Sequence, residues 1–241
     1  MQTWVINLDR NPDRREEFAR RNAGITTVTR FAAIDGQTLD RADLIARGVI
    51  DPALTTYTPG AFGCALSHAA LWQHCIALGQ PITVCEDDAV LHGQFAALSD
   101  AAVGQLGGDF DLVMWGWNFD SWLAIDLLPG VSPALVTFDQ GRMRAALDVY
   151  QRTPVQPQLL PLLRSFGTPC YTISPRGATN LLRASFPLTP FEVFFPGLNR
   201  SIPNNGIDMP MNRCYPSLRA LAAFPPLALT TNFRERSTIQ R

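Results

Sequence analysis

The stretch Pro81–Val90, PITVCEDDAV, decides how this chain is read. Ile82 to Cys85 form a short apolar run that suits a strand buried on both faces. It runs directly into three consecutive carboxylates, Glu86, Asp87 and Asp88, and then into apolar Ala89 and Val90. Carboxylates in a row repel one another, and they are costly at the edge of a core unless something positive sits among them. Successive side chains of an extended chain point to opposite faces, so Glu86 and Asp88 are expected on one side and Asp87 on the other. An acid-x-acid pair at a strand end suits a hard divalent cation, which prefers carboxylate and water oxygens. A solvated acidic loop is the plainer alternative.

The flanking sequence alternates strands with helices. Thr3–Leu8 reads as a first strand, and Asn11-Pro12 offers an N-cap and a first helical residue for a helix to about Asn22. A second strand, VTRFAAI, is closed by the turn Asp35-Gly36, and a short helix spans Asp40 to Arg47. Thr58-Pro59 opens a long helix that Gly79 ends. Phe62, Leu66, Ala69, Trp72 and Ile76 form its core stripe. After the acids come a helix through Phe95 and Leu98 to about Leu106, and a buried strand at Asp111 to Trp117. Prolines 129, 133, 154, 157 and 161 break up residues 118–167, where loops and edge strands around a cleft are expected. PCYTIS is a further strand, and Ser174-Pro175 caps a helix through Leu182. This alternation predicts an α/β fold with a mostly parallel central sheet and helices on both faces. Residues 1–241 are read as a single domain, in which ligands bind outside the carboxyl ends of the strands.

Composition excludes several classes of function. Formal net charge is −1, with twenty basic and twenty-one acidic residues, so no broad electrostatic footprint for nucleic acid is present. No apolar run approaches the roughly 18 residues that span a bilayer. The opening MQTWVINLDR has neither a basic segment nor an uninterrupted apolar one, so no secretory signal is read there. The five cysteines are scattered, without a CxxC pair, and are expected to be reduced thiols of a cytoplasmic protein. All twenty basic residues are arginine. Without lysine, Walker-type nucleotide binding, Schiff-base and pyridoxal-phosphate chemistry are excluded. Any phosphate must be held by arginine, backbone N–H groups or a metal.

Three blocks of the sequence, VINLDRNPDRREEF, GAFGCALSHAALWQHCIALGQPITVCEDDAVL and GTPCYTISPRGATNLL, resemble in order the signature blocks of glycosyltransferase family 25. The middle block is the most specific, through Gly63-Cys64, Ser67-His68, Trp72 and Glu86-Asp87-Asp88. The resemblance implies a single-domain nucleotide-binding sandwich of the GT-A type, with a UDP-sugar donor, commonly UDP-galactose, and Mn²⁺ or Mg²⁺ as the metal. Glu86 and Asp88 would hold that metal against the donor diphosphate, with Asp87 beside them. Asn7, Leu8, Asp9 and Arg10, at the end of the first strand, would supply part of the nucleotide pocket. Asp35 and Gly36 match a further position near the nucleotide. Arg10, Arg14 or Arg15 could neutralise phosphate, although a solvated helix face is the simpler reading of Arg14 and of Arg15. Ser67 and His68 would lie near the donor. Cys64, His68 and Cys75 share a helix face that hints at zinc, but without a suitably spaced fourth ligand packing is the better reading of His68.

The resemblance also implies inversion at the anomeric carbon, which needs a carboxylate to take the acceptor's proton. The candidates are Asp208, Asp120 and Glu192. Asp208 is preferred, as base or as an additional metal ligand. Trp115, Trp117 and Trp122 could stack on sugars, though core packing is the commoner use of tryptophan. On this reading residues 1–117 form the nucleotide-sugar and metal half, and 118–241 the acceptor half. The acceptor would be a bacterial lipooligosaccharide or other surface glycan, with peripheral contact to the inner membrane through a lipid-linked acceptor. Two rival readings remain open: a nucleotide-sugar-binding protein without activity, and a carboxylate-based glycoside hydrolase.

Overall fold

The computed structural model describes residues 1–231, so the last ten residues of the expected 1–241 domain lie outside it. The first part of the chain forms β1 (Gln2–Asn7), α1 (Pro12–Arg21), β2 (Val28–Ala32), α2 (Arg41–Ala46), α3 (Pro59–Leu78), β3 (Ile82–Glu86) and β4 (Ala89–Leu91). Next come α4 (Phe95–Gln105), β5 (Leu112–Gly116), β6 (Trp122–Leu128), β7 (Ser132–Thr137), α5 (Gln140–Ala145), α6 (Leu147–Tyr150) and β8 (Gln158–Arg164). The chain continues through β9 (Cys170–Ile173), α7 (Pro175–Ser185), β10 (Glu192–Phe195), β11 (Arg200–Pro203), α8 (Asp208–Cys214), β12 (Ala220–Phe224) and β13 (Ala228–Thr230).

Nine strands form one sheet in the order β2-β1-β3-β9-β5-β12-β8-β6-β7. Only the pairings β1/β2, β1/β3 and β5/β12 are parallel. Strands β9, β8 and β7 run against the other six, so the sheet is mixed rather than mostly parallel in its pairings. The reason is that β9 inserts between β3 and β5, and the chain from β6 to β8 returns as an antiparallel ribbon. Residues 118–167 thus supply three strands, with β7 at the sheet edge, and two short helices among loops; Pro129 lies in the β6–β7 turn and Pro161 is paired opposite Leu221 inside β8.

Alternation along the central strands divides their side chains between two cores. Val84, Leu112, Met114, Tyr171, Ile173 and Ala222 face α3 and α7. Cys85, Val113, Trp115, Cys170, Leu221 and Ala223 face α1 and α4. Helices thus cover both faces, as the sequence predicts. Each fully buried aliphatic side chain is worth about 1.5–3 kcal/mol against exposure, which explains why runs such as ITVC and LVMW sit centrally.

The long helix α3 begins and ends where its signals lie. Thr58 caps it through its side-chain oxygen, which accepts from Ala61 N at 3.1 Å, and Gly79 closes it at φ +68°. Two expectations fail locally. Ile76 is exposed, whereas Ala65 and Leu71 are buried, because α7 and the turn after residue 34 cover α3 on further sides. Asn11 precedes α1 without any side-chain capping bond.

The sheet order places the site. From β1 the chain moves outward to β2 on one side, and it later adds β3 on the other. The carboxyl ends of β1 and β3 lie side by side, with Ile6 opposite Glu86. A crevice opens where the winding direction changes, which is where open sheets bind ligands.

Candidate functional site

That crevice is a cavity of about 740 Å³. Its floor is the acid cluster. Because β3 ends at Glu86, Asp87 and Asp88 turn out of the strand, and all three carboxylates line the cavity instead of alternating strictly.

Each acid has a different environment. Asp87 is held by the protein's own groups: Asn7 Nδ2 donates to its Oδ2 at 2.7 Å and Arg14 Nε to its Oδ1 at 2.8 Å. Burial works against the charge of Arg14, but Asp87, Asp88 and Glu86 outweigh it and raise its pKa. Arg14 is therefore an internal counter-ion facing the cleft, not a solvated helix residue, while Arg15 is exposed and lies outside the cavity lining. Glu86 Oε1 accepts from the Thr168 hydroxyl at 2.6 Å, and His68 Nε2 stands 3.7 Å away. Burial pushes the Glu86 pKa up, but His68, Thr168 and Arg14 together bring it below its ordinary value. Asp88 is the opposite case: burial first, and the Glu86 charge second, push its pKa up to about 7. Its Oδ1 is buried and, among the described residues, has no hydrogen-bond partner. Glu86 and Asp88 thus present hard oxygen donors, one of them an orphaned buried atom, and this is the donor set a divalent cation fits.

The end of β1 frames one wall. Asn7 is buried, and its side chain is engaged on both atoms. Nδ2 donates to Asp87 and to Asn11 O at 3.0 Å, while Oδ1 accepts from Arg30 Nε at 3.2 Å. Asn7 therefore positions Asp87. Leu8 and Arg10 line the cavity. Asp9 does not: it points outward and pairs with Arg30. Arg10 donates to Asp35 Oδ2 at 2.7 Å, and this bond, with one from Gln37 N, lowers the Asp35 pKa. Gly36 is required by close packing, since a Cβ there would lie 1.6 Å from Pro59 O. The Ser67 hydroxyl is buried and occupied, donating to Gly63 O at 2.7 Å and accepting from Ile34 N at 2.9 Å. It pins the turn at residues 34–36 to α3.

The second half of the chain also lines the cavity. Asp208, at the start of α8, accepts from Gly167 N at 3.0 Å through Oδ2. Burial raises its pKa, and the Glu86 charge adds to this, although the Gly167 bond opposes it. Asp120 is exposed on the rim, and Leu198, Arg200 and Ile202 reach the cavity from the β10–β11 hairpin. Glu192 is exposed on β10 and does not line the cavity, so it drops out as a base. Trp115, Trp117 and Trp122 are buried in cores and cannot stack on a ligand.

Cys64, His68 and Glu86 bring one ligand atom each within 4.8 Å of one another. Cys75 is not part of that group: its thiol lies 3.3 Å from Gln80 O. All five cysteines are free thiols. Thr168, Gly167, Tyr171 and Arg200 were not singled out by the sequence. The only signal for the first three was their place in or beside the block GTPCYTIS.

No helix among the described residues is long and apolar enough to cross a membrane. Residues 1–194 match the family model described as "Glycosyltransferase family 25 (LPS biosynthesis protein)". A Mus musculus protein named "Inactive glycosyltransferase 25 family member 3" is 28% identical over 96% of this chain and 37% of its own length. An Aedes aegypti "Glycosyltransferase 25 family member" is 33% identical over 47% of this chain and 20% of its own length. The chain thus spans under two-fifths of the length of these relatives. With four-fifths of its residues matched by the family model, the chain belongs to glycosyltransferase family 25.

Proposed function

We propose that this chain is an inverting, metal-dependent glycosyltransferase that moves a sugar, galactose, from its UDP conjugate to a hydroxyl of a glycan such as a bacterial lipooligosaccharide. The observation that carries the reading is the orphaned Asp88 Oδ1 beside Glu86, at the carboxyl end of β3 and in a cavity of about 740 Å³, a size usual for small-molecule sites. Glu86 and Asp88 would hold Mn²⁺ or Mg²⁺, which when bound supplies Lewis-acid stabilisation of the charge on departing UDP.

The chain's own residues do the rest. Leu8 and the Asp35-Gly36 turn flank the nucleotide. Arg10 and Arg14 bring positive charge to the diphosphate side, in a chain that has no lysine to offer. Residues 118–241 supply the acceptor side, through Asp120, Arg200 and Asp208. Asp208, whose half-buried carboxylate has a raised pKa, takes the proton of the attacking hydroxyl. The new bond forms at the anomeric carbon from the face opposite UDP. The old carbon–oxygen bond breaks with its electron pair leaving on the β-phosphate, so configuration inverts.

A second reading, nucleotide-sugar binding without turnover, is favoured by the word "inactive" in the names of several mammalian relatives. Calorimetric titration of UDP with and without Mn²⁺, into wild type and Asp88→Ala, tests the site both readings share. We expect Mn²⁺-dependent binding that the substitution abolishes. Wild type that binds no UDP under either condition would sink both readings. UDP release on adding acceptor glycans to UDP-galactose then separates enzyme from binder.

A further inference from the structure

We propose that Thr168 is a positioning residue for Glu86, the last donor in a one-directional hydrogen-bond chain that begins at Trp72. The inference rests on the transferase reading above, and it concerns how the chain aims one of its metal-facing carboxylates.

The direction follows from what each group can donate. The Trp72 indole N–H is a donor only, and it lies 2.8 Å from the Tyr171 hydroxyl. The Tyr171 oxygen therefore accepts, and its own proton has one remaining neighbour, His68 Nδ1 at 2.8 Å. With Nδ1 accepting, the ring proton of neutral His68 is assigned to Nε2. Nε2 faces the Thr168 oxygen at 3.4 Å and Glu86 Oε1 at 3.7 Å. Thr168 in turn donates to Oε1 at 2.6 Å. Trp72, Tyr171 and His68 are wholly buried and Thr168 is 2% exposed, so only the Glu86 end, with its side chain 23% exposed, opens to the cavity.

Both protein contacts to Glu86 fall on the same oxygen. Among the described residues none is formed to Oε2, so the carboxylate is tethered through one oxygen and keeps the other for a ligand. The chain joins α3, β9 and the end of β3, with Thr168 in the loop just before β9. Outer groups of this kind commonly change metal affinity 10–100-fold when removed.

The assigned direction also decides between two uses of His68. Cys64, His68 and Glu86 are close enough to share a soft metal. A proton on Nε2 removes His68 from that role, because the nitrogen facing Glu86 is then a donor and Nδ1 is occupied by Tyr171.

The test compares Thr168→Val with Thr168→Ser, measuring Mn²⁺ affinity in the presence of saturating UDP by calorimetry and by loss of the free-ion Mn²⁺ electron-spin signal. Valine keeps the shape and removes the donor, and serine restores the donor. We expect valine to weaken Mn²⁺ by roughly 10–100-fold and serine to stay within about threefold of wild type, with unchanged melting behaviour in EDTA. Should the valine variant fail to fold, Thr168→Ala gives the same comparison with serine. Mn²⁺ affinity in the valine variant equal to wild type overturns the proposal, as does a serine variant as weak as valine. Stoichiometric Zn²⁺ binding by wild type that Cys64→Ser abolishes would also overturn it, by making His68 a ligand. Absence of Mn²⁺-dependent UDP binding in wild type is a different failure, since it removes the transferase reading itself.

Discussion

Asp88 holds a half-buried carboxylate next to two others, and among the described residues its buried Oδ1 has no hydrogen-bond partner. With its folded pKa raised to about 7, against an ordinary value near 3.9, the native state binds a proton that the unfolded state has released. Stability attributable to this group is therefore fully present below about pH 4, falls as pH rises towards 7, and is flat above. Asp88→Asn removes that loss. In EDTA the variant should unfold at higher denaturant than wild type at pH 8, by an amount on the order of a few kcal/mol, and the gap should close at pH 4. The same proton must leave when a cation binds, so Mn²⁺-dependent UDP affinity should rise between pH 6 and 8. Calorimetry on the wild type at three pH values checks the slope. Asp208 belongs to the same scale. If it is the base, Asp208→Asn should lower kcat by 10²-fold or more with UDP affinity in Mn²⁺ kept, whereas loss of that affinity would make it a metal ligand. Residue identity was legible here for Glu86 and Asp88, since acids after an apolar strand are conspicuous. That Arg14 supplies the positive charge beside Asp87 was not legible, because its direction depends on how α1 lies against β3.

The decisive contact between elements is the approach of α3 to the turn at residues 34–36. A Cβ on Gly63 would stand 2.4 Å from Ile34 O and 2.6 Å from Gly36 N. Both are backbone atoms, so neither can swing aside. Gly63→Ala should cost roughly 1–3 kcal/mol, seen as a lower melting temperature. It should also weaken UDP binding by displacing Asp35 and its partner Arg10. An alanine variant with wild-type melting and UDP affinity would show that the turn can yield. The limits of α3 were legible, because Thr58 and Gly79 carry local signals. Its buried surface was not. A helix covered by a sheet, by α7 and by a turn is buried beyond a single stripe, which is why Ile76 is outside and Leu71 inside.

At the scale of the molecule the cleft is lined by residues far apart in sequence, among them Asn7, Glu86, Gly167, Arg200 and Asp208. If the second half serves the acceptor, Arg200→Ala should raise acceptor KM several-fold while leaving the Mn²⁺-dependent Kd for UDP unchanged. An equal loss in both would move Arg200 to the donor side. The sequence by itself determined the α/β class, most strands and helices from Thr3 to Trp117 and again from Cys170 to Leu182, the family, and the acids at the strand end. Those features are local, being periodicity, caps, turns and contiguous motifs. The tertiary structure alone decided the strand order, the antiparallel insertion of β9, and the outward turn of Asp9 and Glu192. It likewise decided the line of donors from Trp72 through Tyr171, His68 and Thr168 to Glu86. These are pairings between residues tens of positions apart, chosen by which faces can be buried together, and no single segment carries that information.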